Sequence, residues 1–174
     1  QTPPQDLADA DLASDMLDLI TARTAAAGLS RYEVSAFAQA GHRCAHNLNY
    51  WQFGDYLGIG AGAHGKLSFP DRIVRQVRWR EPAMYIDKAM GGQAMSNEHS
   101  VGGAELPFEF MLNALRLAEG LELARFAERT GQPLTSIEPA LARAEQRGLI
   151  ARDASRVRPT TLGFDFLSDL QALF

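Results

Sequence analysis

Cysteine is almost absent from this chain: Cys44 is the only one among 174 residues. A lone thiol forms no intrachain disulfide, so a disulfide-stapled scaffold is excluded, and the composition suits a reducing, cytoplasmic setting. Long apolar runs are missing as well. No stretch approaches the roughly 18–20 residues that span a bilayer, and no basic segment followed by an apolar one opens the chain, so neither a membrane span nor a signal peptide is expected. There is no surplus of positive charge. Lys and Arg number 17 against 21 Asp and Glu, a formal net charge of −4, with no block of one sign. That argues against nucleic acid or an anionic membrane as partner. An initiating methionine is lacking too. The opening Gln1-Thr2-Pro3-Pro4 reads as an extended linker, because proline disfavours helix in the residue before it. A chain cut from something larger is expected.

What is present is enough apolar content for a packed core, 46% of residues, in a length that allows one domain or two small ones. Leu12, Met16, Leu19 and Ile20 recur at helical spacing, which predicts a helix over residues 11–27 with Gly28 as its stop. Residues 32–37 read as a strand, with Glu33 and Ser35 sharing one face. Helix, short loop and strand make an αβ unit of the kind found in parallel sheets and barrels. Further strands are expected at 56–59 and as hairpin arms at 66–68 and 73–79, then a helix over 81–90. After Gly102-Gly103 the character changes to helices at 108–119, 121–130 and 137–147, short strands at 149–152 and 156–160, and a closing helix at 165–174. Three helices and a small hairpin read as a winged-helix-like domain. The expected fold class is α/β plus α, divided into residues 1–104 and 105–174. The second part carries eight Lys and Arg against ten Asp and Glu, so it reads as a structural or partner-docking domain rather than a phosphate binder.

Chemistry-bearing residues concentrate between residues 32 and 65. His46-Asn47-Leu48-Asn49-Tyr50-Trp51 offers an imidazole able to ligate metal, haem iron included, beside two flat side chains with polar handles. The plainer reading is a loop in which His46 and the asparagines satisfy backbone groups. Gly60-Ala61-Gly62-Ala63-His64-Gly65 matches the dinucleotide fingerprint in letters, but Lys66-Leu67-Ser68-Phe69-Pro70 behind it is not the required helix. The plain alternative is a turn or a strained strand end; a backbone stripped of side chains so that a flat ligand lies against it fits better. His42, Cys44 and His46 alternate, yet match no structural zinc spacing. His64 and His99 read as exposed or hydrogen-bonded histidines. Glu33 and Ser35 could line a barrel lumen, or Glu33 could pair with Arg31 or Arg43. No catalytic triad, phosphate loop or carboxylate pair placed for acid–base work is found.

The motifs Tyr32-Glu33-Val34-Ser35-Ala36-Phe37-Ala38, His46-Asn47-Leu48-Asn49-Tyr50-Trp51, the run from Gly54-Asp55-Tyr56 to Gly65, and Leu106-Pro107-Phe108-Glu109-Phe110-Met111 resemble the C-terminal half of the oxygen-independent coproporphyrinogen III oxidase-like proteins of the radical SAM superfamily, most of all their HemW-type branch. The resemblance implies the terminal αβ portion of a partial radical SAM (β/α) barrel followed by the appended helical domain. It implies a longer parent that holds a 4Fe–4S cluster and S-adenosylmethionine. It implies haem or porphyrin as ligand and haem-accepting proteins as partners, with His46 as candidate iron ligand and Asn49, Tyr50 and Trp51 shaping its surroundings. Gly58, Gly60, Ala61, Gly62 and Ala63 would border the methionine-derived cofactor. A haem chaperone is the favoured function, coproporphyrinogen dehydrogenase the alternative, and a non-catalytic winged-helix interaction module a third reading. Barrel surface left uncovered would favour a homodimer.

A cluster needs several thiolates and this chain supplies one. Residues 1–174 supplied with iron, sulfide, reductant and S-adenosylmethionine will therefore release no 5′-deoxyadenosine. Its appearance in a chromatographic assay would overturn this reading.

Overall fold

The structure, a computed structural model, describes residues 9–174. The linker expected at Gln1-Thr2-Pro3-Pro4 lies outside the described residues. The chain divides into two compact units at Cys44/Ala45.

In the first unit, helix α1 spans Ala10–Ala26 and starts at Asp9, whose carboxylate accepts the Leu12 N–H at 2.8 Å. It ends where Gly28 N–H and Leu29 N–H donate to the Ala25 and Thr24 carbonyls. Its apolar stripe faces outward: Leu12, Met16, Leu19 and Ile20 are each about half exposed. The strand expected over 32–37 is corrected. It is a tight antiparallel hairpin, β1 Ser30–Glu33 and β2 Ala36–Ala38. The physical reason is local. The Glu33 carboxylate accepts from both the Ser35 N–H, at 3.0 Å, and the Ser35 hydroxyl, at 3.1 Å. That side-chain bond closes a turn at Val34-Ser35 in place of a continuing strand. Glu33 is buried and Ser35 exposed, so the two do not share a strand face. The pairing is antiparallel, as is every strand pair among the described residues.

In the second unit the segment 46–51, whose plainer reading is a loop, is helix α2, Ala45–Trp51. It closes with Phe53 N–H on the Tyr50 carbonyl and Gly54 N–H on the Asn49 carbonyl. This reciprocal ending requires a left-handed residue, commonly glycine. Here that residue is Phe53, at φ 58°, a conformation that costs a bulky side chain about 1–3 kcal/mol. A three-stranded antiparallel sheet follows, ordered β3–β4–β5: β3 His64–Ser68, β4 Ile73–Arg78 and β5 Met95–Ser100. Helix α3, Pro82–Met90, lies between β4 and β5 in sequence, capped by the Glu81 carboxylate on the Ala83 and Met84 N–H groups. The hairpin arms stand as expected; β5 was not expected. The strand expected at 56–59 is reduced to one bridge, Tyr56 to Lys66. Beyond Tyr56 the chain turns inward at Gly58, where a Cβ would lie 2.2 Å from the His64 carbonyl oxygen.

The remaining elements are α4 Leu106–Ala114, β6 Leu121–Glu122, α5 Leu123–Thr130, a 3₁₀ turn at Leu134–Ser136, α6 Glu138–Gln146, β7 Ile150–Arg152, β8 Arg156–Pro159, α7 Thr161–Asp165 and α8 Leu167–Gln171. Strands β6, β8 and β7 form a second antiparallel sheet. The helix expected over 108–119 is shorter because Arg116, Leu117 and Gly120 N–H groups fold back three residues, and the closing helix is split at Phe166. One apolar core runs through this unit, joining Phe53, Ile73 and Val101 to Phe110, Phe126 and Leu141. The Phe53, Phe110 and Phe126 rings meet edge to face, at 5.4 and 5.3 Å.

Lys66 ties the end of α2 to β3. It is 1% exposed. Its ammonium sits 4.1 Å from the Phe53 ring centroid and donates to the Phe53 carbonyl at 3.0 Å, Asp55 Oδ1 at 3.0 Å and Ser68 Oγ at 2.9 Å. Removing it leaves the carbonyl of the strained Phe53 without this donor, while Asp55 and Ser68 keep their mutual hydrogen bonds. Lys66→Ala will lower unfolding free energy by roughly 2–3 kcal/mol, less than the loss from a fully buried pair because Asp55 keeps solvent. Lys66→Met, which keeps the stem, will cost less. Urea unfolding midpoints measure both, and an unchanged midpoint in Lys66→Ala would refute the clamp.

Candidate functional site

A seven-residue helix has two useful faces, and α2 uses both. His46 and Tyr50 lie four residues apart, one turn above the other; their rings meet edge to face at 4.7 Å and 74°. The His46 side chain is exposed, and its imidazole makes no hydrogen bond among the described residues. Trp51 points elsewhere. Its ring lies under the Arg116 guanidinium, 4.2 Å from the centroid, and borders a cavity of about 90 Å³ with Phe110, Ala114 and Leu117. The Trp51 indole N–H is buried and without a hydrogen-bond partner among the described residues. Tyr50 and Trp51 are 6.4 Å apart and tilted by 52°, so they do not form one flat wall. Asn49 is engaged internally: its amide donates to the Asp55 carbonyl at 2.9 Å.

The glycine-rich loop enters strand β3 at His64, not a helix, which removes the dinucleotide reading. Gly60 and Gly62 take positive φ, 107° and 71°. Many of the loop's backbone groups are engaged within the protein. Gly60 N–H donates to the Tyr85 hydroxyl at 3.1 Å, Gly62 N–H to the Trp79 carbonyl at 2.8 Å and Ala63 N–H to the Gly60 carbonyl at 3.2 Å. The Arg78 side chain donates to the Gly58 carbonyl and its N–H to the Ala63 carbonyl. Ala61 is exposed, and Leu57 and Ile59 leave 69% and 86% of their surface to solvent. His64 and His99 are exposed. Among the described residues no group of three His, Cys, Asp or Glu side chains is placed to hold a metal ion.

A polar and aromatic network behind α2 had no signal in the sequence. The Tyr56 ring lies 4.1 Å from that of Tyr50. Its hydroxyl accepts from Arg75 at 3.0 Å, and Arg75 on β4 also donates twice to the Glu109 carboxylate on α4. Burial pushes the Tyr56 phenol above its ordinary value, against the pull of the Arg75 charge. Burial likewise drives the Lys66 ammonium below its ordinary value, opposed by the hydrogen bond and charge of Asp55. Burial tends to raise the Asp55 carboxyl, but the bonds it accepts from Ser68 and Lys66 outweigh this and hold it below its ordinary value. Lysine and arginine are normally surface residues, so only their three-dimensional neighbours disclose these roles.

Comparison with known proteins places this geometry in context. The HemN C-terminal domain family matches residues 103–166. The chain is 40% identical over 172 residues to heme chaperone HemW of Escherichia coli, covering 98% of this chain and 44% of that protein. It is 38% identical, with the same coverage, to heme chaperone HemW of Haemophilus influenzae. It is 34% identical to heme chaperone HemW of Bacillus subtilis, covering 92% of this chain and 41% of that protein. The chain thus spans less than half the length of these relatives. Its fold is similar to that of coproporphyrinogen III oxidase (HemN) from Escherichia coli, described as a radical SAM enzyme, with a TM-score of 0.68 over 97% of this chain and 42% of that one at 14% identity.

The lowered Asp55 value gives a pH signature. A carboxyl depressed on folding contributes stability above its unfolded value, and that contribution is lost as pH falls through the lower folded value. Thermal unfolding followed from neutral pH into the acid range will therefore show an acid limb that Asp55→Asn reduces. Superimposable profiles for the two proteins would refute it.

Proposed function

The chain is a C-terminal region of the HemW/HemN family, and from that premise we propose that it forms part of a haem chaperone in which His46 binds the iron of haem for delivery to target proteins. The observation that carries the reading is the imidazole itself. It is exposed, uncommitted by hydrogen bonds and set against the Tyr50 ring, in a chain whose relatives are named heme chaperones. These residues fit haem as cargo, since an accessible imidazole supplies one axial nitrogen and the neighbouring tyrosine a flat apolar contact. Trp51 then shapes the base of the helix, and Asn49 fixes its exit.

The finer architecture belongs to the same proposal. Residues 1–104 are the terminal part of a radical SAM barrel and residues 105–174 a winged-helix-like domain, a reading supported by the fold likeness along nearly the whole chain. S-adenosylmethionine and a 4Fe–4S cluster would reside in the longer parent. Cys44, exposed and alone, does not fit a cluster. Gly58, Gly60, Ala61, Gly62 and Ala63 would meet the cofactor largely by shape, since many of their polar groups are engaged within the protein. Glu33 and Ser35 would approach the barrel interior as a turn. The outward apolar stripe of α1 supports a homodimer. No described helix is long and apolar enough to cross a membrane, and the proposed setting is the cytoplasm. Coproporphyrinogen oxidation remains the second reading; it rests on fold alone.

Haemin titrated into the protein will develop a Soret band, and His46→Ala will weaken it at least about tenfold in apparent affinity, the loss expected when an axial ligand goes. An identical titration in the variant would reject His46 as the ligand.

A further inference from the structure

We propose that Tyr56, held in place by Arg75 and Glu109, is the positioning residue for the His46 imidazole and acts through Tyr50. The proposal deepens the reading of His46 as a haem ligand and rests on it.

An imidazole that binds a metal ordinarily has its ring orientation fixed by a hydrogen bond from the nitrogen not used for coordination. His46 has no such bond among the described residues, and it stands in the first turn of a helix only seven residues long. Its orientation must come from packing, and the ring it packs on is Tyr50 at 4.7 Å. Tyr50 is itself backed by a second ring, Tyr56, at 4.1 Å. Tyr56 lies outside the helix, in the segment clamped by Lys66: its backbone exchanges two hydrogen bonds with Lys66, at 2.9 and 3.0 Å. The Tyr56 hydroxyl accepts from Arg75 NH1 at 3.0 Å, which fixes the outer end of the ring. Arg75 in turn is held by Glu109 through two N–H groups on one carboxylate oxygen. A guanidinium joined to a carboxylate in this way loses most of its rotational freedom. Four side chains thus link α4 to the imidazole on α2, through β4 and the loop that follows α2. Rings in edge or tilted contact have preferred geometries, so a shift of Tyr56 is passed to Tyr50 and from there to His46.

A purely structural role for the same contacts would alter stability alone. Positioning alters the imidazole. The test compares wild type with Tyr56→Leu, which removes the ring, Tyr56→Phe, which keeps the ring and cuts its tie to Arg75, and Glu109→Gln, which weakens the hold on Arg75. Two readouts are taken: the His46 ring-proton NMR shifts in the haem-free protein, and the affinity, Soret maximum and iron spin state on haemin titration. Tyr56→Leu is expected to move the His46 ring-proton shifts toward those of a free histidine and to weaken haemin binding about tenfold, the loss typical of an outer partner of a metal ligand. Tyr56→Phe and Glu109→Gln are expected to change the same quantities in the same direction by less, with unchanged far-UV circular dichroism. If Tyr56→Leu does not fold, the other two variants decide the matter alone. Wild-type ring shifts and wild-type haemin spectra in the folded variants, with His46→Ala still defective, would overturn the proposal and leave the ligand assignment standing. Shifts that move while His46→Ala binds haemin normally would overturn the ligand assignment, and with it the proposed role in haem binding.

Discussion

A single buried ammonium organises the second unit of this protein. Lys66 lies on the edge strand β3, bridged to Tyr56, with its charge among the Phe53 carbonyl, the Asp55 carboxylate and the Ser68 hydroxyl. Burying an unpaired ammonium would be prohibitive; three acceptors and an aromatic face make it tolerable. In return it holds a strained turn. Phe53 occupies a left-handed conformation normally left to glycine, yet its ring sits in the core against Phe110. The residue therefore ends a helix and anchors it at once. The cost in backbone energy is offset by burial of a large aromatic side chain and by capture of its carbonyl.

The consequence is that α2, too short to be stable in isolation, is fixed at its C-terminal end. Its two faces do different work. Trp51 is drawn toward α4 and Arg116, while His46 and Tyr50 remain at the surface. The core that receives Phe53 is built largely from residues that match the HemN C-terminal domain family, Phe110, Phe126 and Leu141 among them, so that region also supports the histidine-bearing helix. The Arg75–Glu109 pair repeats the connection in polar form.

Much of this was legible in advance where the signal was local. Apolar spacing and the Gly28 stop mark α1; Phe69-Pro70-Asp71-Arg72 marks the β3–β4 hairpin; a helix is expected over 81–90, where α3 stands. The candidate motif at residues 46–51 stands out by residue type, but its helical conformation does not, because seven residues with two asparagines carry a weak helical signal. Strand β5, Met95–Ser100, escaped notice since it is polar and exposed along its length and owes its conformation to pairing with β4. The turn at Val34-Ser35 escaped because alternation alone cannot register a carboxylate that bends back onto its own chain.

By itself, then, the order of residues determined the likeness to the HemW relatives, the helix stops, the hairpin and the inability of one cysteine to hold a cluster, since each depends on residue identity or short spacing. Tertiary structure alone decided that Lys66 is interior, that Tyr50 and Trp51 part company, and that Tyr56, Arg75 and Glu109 converge behind the histidine. Those facts depend on groups up to 34 residues apart in sequence being brought within bonding distance, and nothing short of the packed core specifies that meeting.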